Sequence, residues 1–210
     1  MTTAFDPNCR LCPRLAGFLD TVKAGHPGYY CRPVPPFGDD RPGLLIVGLA
    51  PGMHGANRTG RPFTGDYAGI LLYETLHKFD LATGPVSIAA DDGLRLTGAR
   101  ITNAVKFLPP DNKPETREIA TCNAYLKAEL ARLESVRVVL ALGLIAHGAL
   151  LKACGLRAAD FKFAHGAEHA LPEGRILVDS YHCSRYNTQT RRLTAAMFEA
   201  VVGRARQLAG

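Results

Sequence analysis

The chain has 210 residues, with 25 Lys and Arg against 19 Asp and Glu for a net charge of +6, and is 47% hydrophobic and 21% charged. That mixture excludes a disordered chain, and apolar runs as short as Val138–Leu142 exclude a membrane-spanning helix. Met1–Cys12 lacks the basic start and apolar core of an export signal, so a cytoplasmic location is expected, and the positive charge favours a polyanionic partner.

In chain order, a segment to about Arg41 carries Cys9-Arg-Leu-Cys12, a short helix over Arg14–Lys23 and a Pro-rich connection, Arg32-Pro-Val-Pro-Pro-Phe-Gly. Gly43–Leu49 is a continuous apolar run of strand length, which reads as a buried parallel strand. A Gly-rich loop, Pro51–Gly65, follows, and Asp66 is placed to cap a helix in which Ile70, Leu71, Tyr73 and Leu76 recur at helical spacing. Asp92-Gly93 suggests a hairpin turn before a second strand, Arg100–Val105. After Pro109-Pro110, Glu115–Leu133 has Ile119, Cys122, Leu126, Leu130 and Leu133 on one helical face. Val136–Leu142 is a third strand, Leu144–Ala153 a short helix, Arg175–Ser180 a fourth strand and Thr190–Leu208 a final amphipathic helix. Without repeats or long linkers, residues 1–210 read as one domain, with a cysteine-bearing segment over about 1–41. Buried strands alternating with amphipathic helices predict a three-layer α/β/α sandwich around a mostly parallel, four-stranded sheet.

Ligands bind beyond the carboxyl ends of such strands, and three polar clusters fall there. The first runs from Gly48 to Asp66, in a stretch with six glycines among the 22 residues from Gly48 to Gly69. It holds Ala50, Pro51, Gly52, His54, Arg58, Arg61 and Phe63, and matches neither a Walker A loop nor a Gly-x-Gly-x-x-Gly fingerprint. The second is Asn103-Ala-Val-Lys106, an amide in an apolar strand that must satisfy either the backbone or a ligand. The third is Tyr181-His182-Cys-Ser184-Arg185-Tyr186-Asn187.

These three clusters resemble the motifs of the uracil-DNA glycosylase superfamily, and most closely those of its UDGb-type, fifth family. Gly48–Asp66 is similar to that family's first motif, His182-Cys-Ser-Arg-Tyr-Asn187 to its His-x-Ser-x-x-Asn motif, and Asn103-Ala-Val-Lys with Pro109-Pro110 and Asn112-Lys-Pro to its middle segment. The resemblance runs from about Cys9 to the last helix. It implies hydrolysis of the N-glycosidic bond of uracil, and of other deaminated or damaged bases such as hypoxanthine and ethenocytosine, in DNA. It also implies four cysteines holding a [4Fe-4S] cluster, in a bacterial or archaeal type of cell and without a membrane. Cys9, Cys12 and Cys122 fit that ligand pattern, whereas Phe107 stands where a cysteine is usual. Cys31 is the first substitute as fourth ligand, ahead of Cys154 and Cys183; without one, the cluster is labile or absent.

Base excision needs an extruded base, a placed water and a donor facing the base. Under the resemblance, Phe63 stacks on the base and Asn103 reads its pairing edge. His182 donates to the base oxygen where charge develops. Asp66 orients the water and stabilises the cationic sugar, because Ala50 replaces the Asp or Asn common elsewhere in the superfamily. The backbone from Gly52 to His54 lines the floor with Ala50 and Pro51. Arg58, Arg61, Ser184 and Arg185 grip phosphates, Arg185 and Tyr186 wedge into the gap, and Asn187 completes the DNA-binding set. Taken singly, each has a plainer reading: Asp66 as a helix cap, Asn103 as a satisfied core amide, Phe63 as packing. His54, His147, His165 and His169 read as structural or solvated side chains. The chief alternative is a non-catalytic, DNA-damage-binding module with the same pocket. A monomer is expected.

Overall fold

The computed structural model describes residues 5–210, so residues 1–4 of the expected domain lie outside the described residues. The strands are β1 (Phe37–Gly38), β2 (Leu44–Gly48), β3 (Ala99–Asn103), β4 (Val138–Leu142), β5 (Glu168–Ala170) and β6 (Ile176–Ser180), in the order β1-β3-β2-β4-β6-β5. The α-helices are α1 (Pro13–Gly25), α2 (Ala56–Thr59), α3 (Tyr67–Lys78), α4 (Thr116–Arg132), α5 (Leu144–Ala153), α6 (Arg185–Gln189) and α7 (Ala195–Ala209).

The four strands expected from apolar runs form the parallel centre, β3-β2-β4-β6. The sheet has six strands rather than four, because β1 and β5 add antiparallel edges to β3 and β6. At two and three residues, half-buried or exposed, neither edge carries an apolar run long enough to announce itself.

Alternation along the central strands makes two cores. Leu44, Ile46, Leu140 and Val178 face α3 and α7, meeting Leu72, Leu76, Phe198 and Val202. Leu45, Val47, Val139 and Leu177 face α4 and α5, meeting Leu126, Leu130, Leu150 and Leu151. Burying each such side chain stabilises the fold by about 1.5–3 kcal/mol. This is the expected sandwich. Among the described residues, no helix is long and apolar enough to cross a membrane.

Two local readings are corrected. The last helix starts not at Thr190 but at Ala195, where the Thr194 side chain accepts from Met197 N at 3.2 Å. Arg191, at φ 56°, breaks the chain between α6 and α7. Asp92-Gly93 makes no hairpin, since its flanks pair only through an Ala82–Leu96 bridge. The Asp92 carboxylate instead accepts from the backbone of Ile88, Ala89 and Leu94, organising the loop from within.

Parallel register brings the functional ends together. Gly48 on β2 lies opposite Asn103 on β3, and Leu142 on β4 opposite Ser180 on β6. The chain runs from β2 to β3 on one side and then returns to β4 on the other, so the crevice at a topological switch point opens beside β2.

Candidate active site

A cavity of about 440 Å³ occupies that crevice, a size suited to a small organic ring system. Ala50, Gly52, Phe63, Asp66, Asn103, His182 and Ser184 of the expected set line it together. Gly48 makes the close approach possible. A Cβ there would stand 2.5 Å from Asn103 Oδ1 and 2.6 Å from the Phe63 ring, so only a bare backbone lets the amide and ring share one wall. Gly55 does the same for Asp66, whose carboxylate a Cβ at Gly55 would strike.

Phe63 is 5% exposed and held at φ 55°, an unusual conformation for an aromatic residue and a sign of a constrained functional position. Its ring stacks with His182 at 5.8 Å and 29°. Asn103 is 3% exposed, and its Oδ1 has no hydrogen-bond partner among the described residues. Leaving a buried acceptor unmade costs about 1–3 kcal/mol, which a ligand donor would recover. Asp66 caps α3, with Oδ1 accepting from Gly69 N at 2.9 Å. Burial raises its carboxyl above the usual range, against backbone hydrogen bonds from Gly69 and Ala68 that lower it. Desolvation pushes the His182 imidazole down to about 4, so the ring is neutral at pH 7. A neutral imidazole still has one N–H to donate.

Four expected positions lie elsewhere. Arg61 is 4% exposed and is spent inside the protein on Thr64, Ser87 and Asp92. Burial raises the Asp92 carboxyl, but its bonds to Arg61 and the loop backbone outweigh this and hold it low. Arg61 is therefore a loop anchor, not a phosphate grip. We expect Arg61→Ala to destabilise the fold by about 3–5 kcal/mol, as loss of a buried ion pair does, yet to leave the salt dependence of DNA binding unchanged. Chemical denaturation and salt titrations check both halves. His54 is exposed and does not line the cavity, its Nδ1 lying 2.9 Å from Tyr29 Oη, and Pro51 is buried and does not line it either. Asn187 donates from Nδ2 to the His182 carbonyl at 2.8 Å, which positions the histidine loop rather than DNA.

Arg58, Arg185 and Tyr186 are exposed, with the Arg185 guanidinium 4.9 Å above the Tyr67 ring. Ser184 caps α6 by accepting from Asn187 N. Sequence reasoning assigned no site role to Leu144, Ile145 or Asn112, the last placed only in the middle motif, yet all three line the cavity. Leu144 and Ile145 are exposed apolar residues just past β4, so the strand-end rule applied there would have found them. Asn112 and its neighbour Asp111 both have positive φ, an unusual pair of turn residues hidden behind Pro109-Pro110.

Cys9, Cys12, Cys31 and Cys122 are buried in a third cluster, together with Phe107. Cys154 packs against the core beneath α4 and α5, and Cys183 is enclosed within the opposite core. Neither therefore joins the other cysteines. Cys31 sits at φ 48°, and the buried Asn57 donates from Nδ2 to its Sγ at 3.5 Å. Lys106 N donates to Cys122 Sγ at 3.4 Å. Four soft sulfur donors with N–H groups aimed at two of them have the chemistry of an iron–sulfur ligand set.

A parallel α/β/α sandwich with a glycine-lined pocket bearing Phe, Asn, Asp and His at its strand ends defines the class. The profile of the uracil DNA glycosylase superfamily matches residues 35–206, and the chain belongs to that superfamily. Within it, the chain is 50% identical over 208 residues to the type-5 uracil-DNA glycosylase of Thermus thermophilus, covering 96% of this chain and 94% of that protein. It is 44% identical over 211 residues to the type-5 enzyme of Mycobacterium leprae, covering 96% and 92%. A type-4 uracil-DNA glycosylase of Pyrobaculum aerophilum is 37% identical over 131 residues, covering 62% and 59%.

Proposed function

We propose that this chain is a monofunctional DNA repair glycosylase that hydrolyses the N-glycosidic bond of uracil in DNA and leaves an abasic site. The observation that carries this reading is the unpartnered Asn103 Oδ1, which shares the cavity with Phe63, Asp66 and His182. A uracil extruded into the cavity stacks on Phe63 while its ring N–H donates to Asn103 Oδ1. As the C1′–N1 bond breaks, the bonding pair leaves with the base, and neutral His182 donates to the base oxygen that gathers this charge. The Asp66 carboxylate faces the cationic sugar and orients water, whose oxygen forms the new bond to C1′. One proton of the water passes to Asp66 and on to solvent, the other stays on the new C1′ hydroxyl, and the departing base anion takes up a proton. The apolar wall of Leu142, Leu144 and Ile145 contributes contact area without polar discrimination, which suits hypoxanthine and ethenocytosine as further substrates.

Residues 1–210 act as one domain and as a monomer on DNA, in the cytoplasm at the nucleoid. Arg58, Ser184 and Arg185 grip phosphates, and Tyr186 fills the gap left by the base. Cys9, Cys12, Cys31 and Cys122 hold a [4Fe-4S] cluster, with Cys31 taking the ligand role that Phe107 cannot. When bound, such a cluster cross-links α1 and α4 and contributes no step to the hydrolysis. Cys31→Ala is expected to lower bound iron and the cluster's visible absorbance severalfold, whereas Cys154→Ala leaves both intact. Iron analysis and absorbance of the purified proteins decide it; equal iron in both variants would remove Cys31 from the set.

The direct test incubates the protein with labelled duplexes carrying one uracil, hypoxanthine or ethenocytosine, followed by alkaline cleavage. Strand scission at uracil is expected. Tight lesion binding without scission would instead make the chain a damage-binding module.

A further inference from the structure

Outside the machinery described above, three side chains converge from three elements. His147 lies on α5, in the turn that follows the cavity residues Leu144 and Ile145. Asp179 lies on β6, three residues before His182, and His169 lies on the edge strand β5. His147 Nδ1 is 2.8 Å from Asp179 Oδ1, and His169 Nε2 is 3.2 Å from Asp179 Oδ2. One ligating atom from each of the three residues lies within 4.8 Å of the other two. His147 and Asp179 are buried, while His169 retains limited exposure.

The far side of His147 decides how these atoms are used. Its Nε2 is 3.0 Å from the Phe161 carbonyl oxygen, which can only accept, so Nε2 carries the ring proton. In the neutral ring, Nδ1 then turns a lone pair toward a carboxylate. That juxtaposition requires positive charge between the two, supplied either by a second proton or by a metal ion. A metal-bound histidine donates its other N–H to a carbonyl or carboxylate in the way His147 does to Phe161. Two imidazole nitrogens and one carboxylate form a donor set suited to zinc and its neighbours, with a fourth position left for water on the His169 side.

We propose that His147, His169 and Asp179 bind one divalent transition-metal ion of the zinc class. The ion pins α5 and the β5 edge to β6, three residues before His182. Its role is structural: it stiffens the strand end that presents His182 and the helix turn that presents Leu144 and Ile145.

The test uses the full chain after chelator treatment, with its iron content measured, and Zn²⁺ or Co²⁺ alone as probe. Calorimetry should show one Zn²⁺ site outside the cysteines, and the melting temperature should rise by about 5–10 °C at a hundredfold excess over Kd. Co²⁺ bound there should give tetrahedral ligand-field bands without the sulfur-to-metal charge-transfer band that thiolate ligands produce. His169→Gln, at the partly exposed edge, should weaken binding by about tenfold or more, and Asp179→Asn should abolish it. If Asp179→Asn does not fold, His169→Gln decides the matter alone. Zn²⁺ binding with the same Kd in the native chain and His169→Gln, a Co²⁺ spectrum dominated by thiolate charge transfer, or no thermal response to Zn²⁺ would overturn the proposal. The last result would leave a buried imidazolium–carboxylate pair.

Discussion

Asp66→Asn slows single-turnover excision of uracil by about 10²–10³-fold, the scale of removing one preorganised electrostatic group, or about 2.7–4 kcal/mol of barrier. Duplex affinity is expected to stay unchanged, because Asp66 lines the cavity and is not among the exposed residues proposed to grip phosphates. This substitution separates two roles that the side chain combines. Its Oδ1 caps α3, and asparagine caps a helix about as well as aspartate, so the fold is retained. Asp66→Ala removes the cap as well and should lower stability by about 1 kcal/mol in addition. The pH profile supplies a second readout. Burial raises the Asp66 carboxyl, and in the proposed mechanism the ionised form faces the cationic sugar, so the rate should be full above this raised pKa and fall as pH drops through it. Asp66→Asn should lack that acid limb. Rapid-quench kinetics across pH with both variants check the assignment; equal losses of rate and thermal stability in Asp66→Asn would reduce Asp66 to a cap.

The parallel centre of the sheet was legible because strands buried on both faces read as continuous apolar runs, as Leu44–Val47 and Val138–Leu142 do. The short edges carry no such signal. The break at Arg191 was hidden because Thr190-Arg-Arg-Leu-Thr contains no glycine or proline to announce its left-handed turn. In the site, Asp66, Asn103 and His182 stood out as polar residues where apolar strands end. Arg61 misled for the opposite reason. Its partner Asp92 lies 31 residues away, and nothing local distinguishes a buried arginine from one that waits for a phosphate. The His147–Asp179–His169 group was equally invisible, since its members come from a helix and two strands that meet only in the folded chain.

His182→Phe keeps an aromatic ring against Phe63 but removes the donor, and it should slow excision by about 10²–10³-fold with little change in KM. His182→Gln restores an N–H at similar reach and should recover part of that loss, which simple repacking would not do. The same histidine makes a separate prediction for stability. Its ordinary value is 6.5, and desolvation takes it down to about 4 in the folded chain. Below pH 6.5 the unfolded chain therefore binds a proton that the native pocket refuses. Native stability falls as pH drops from about 6.5 to about 4 and levels off once the folded imidazole also protonates. His182→Phe should flatten this portion of the stability curve and leave the rest of it alone. Thermal melts of both proteins between pH 4 and pH 7 measure it. An unchanged slope in His182→Phe would mean that the imidazole is already hydrated in the free enzyme. The neutral donor would then form only when an extruded base expels water from the pocket.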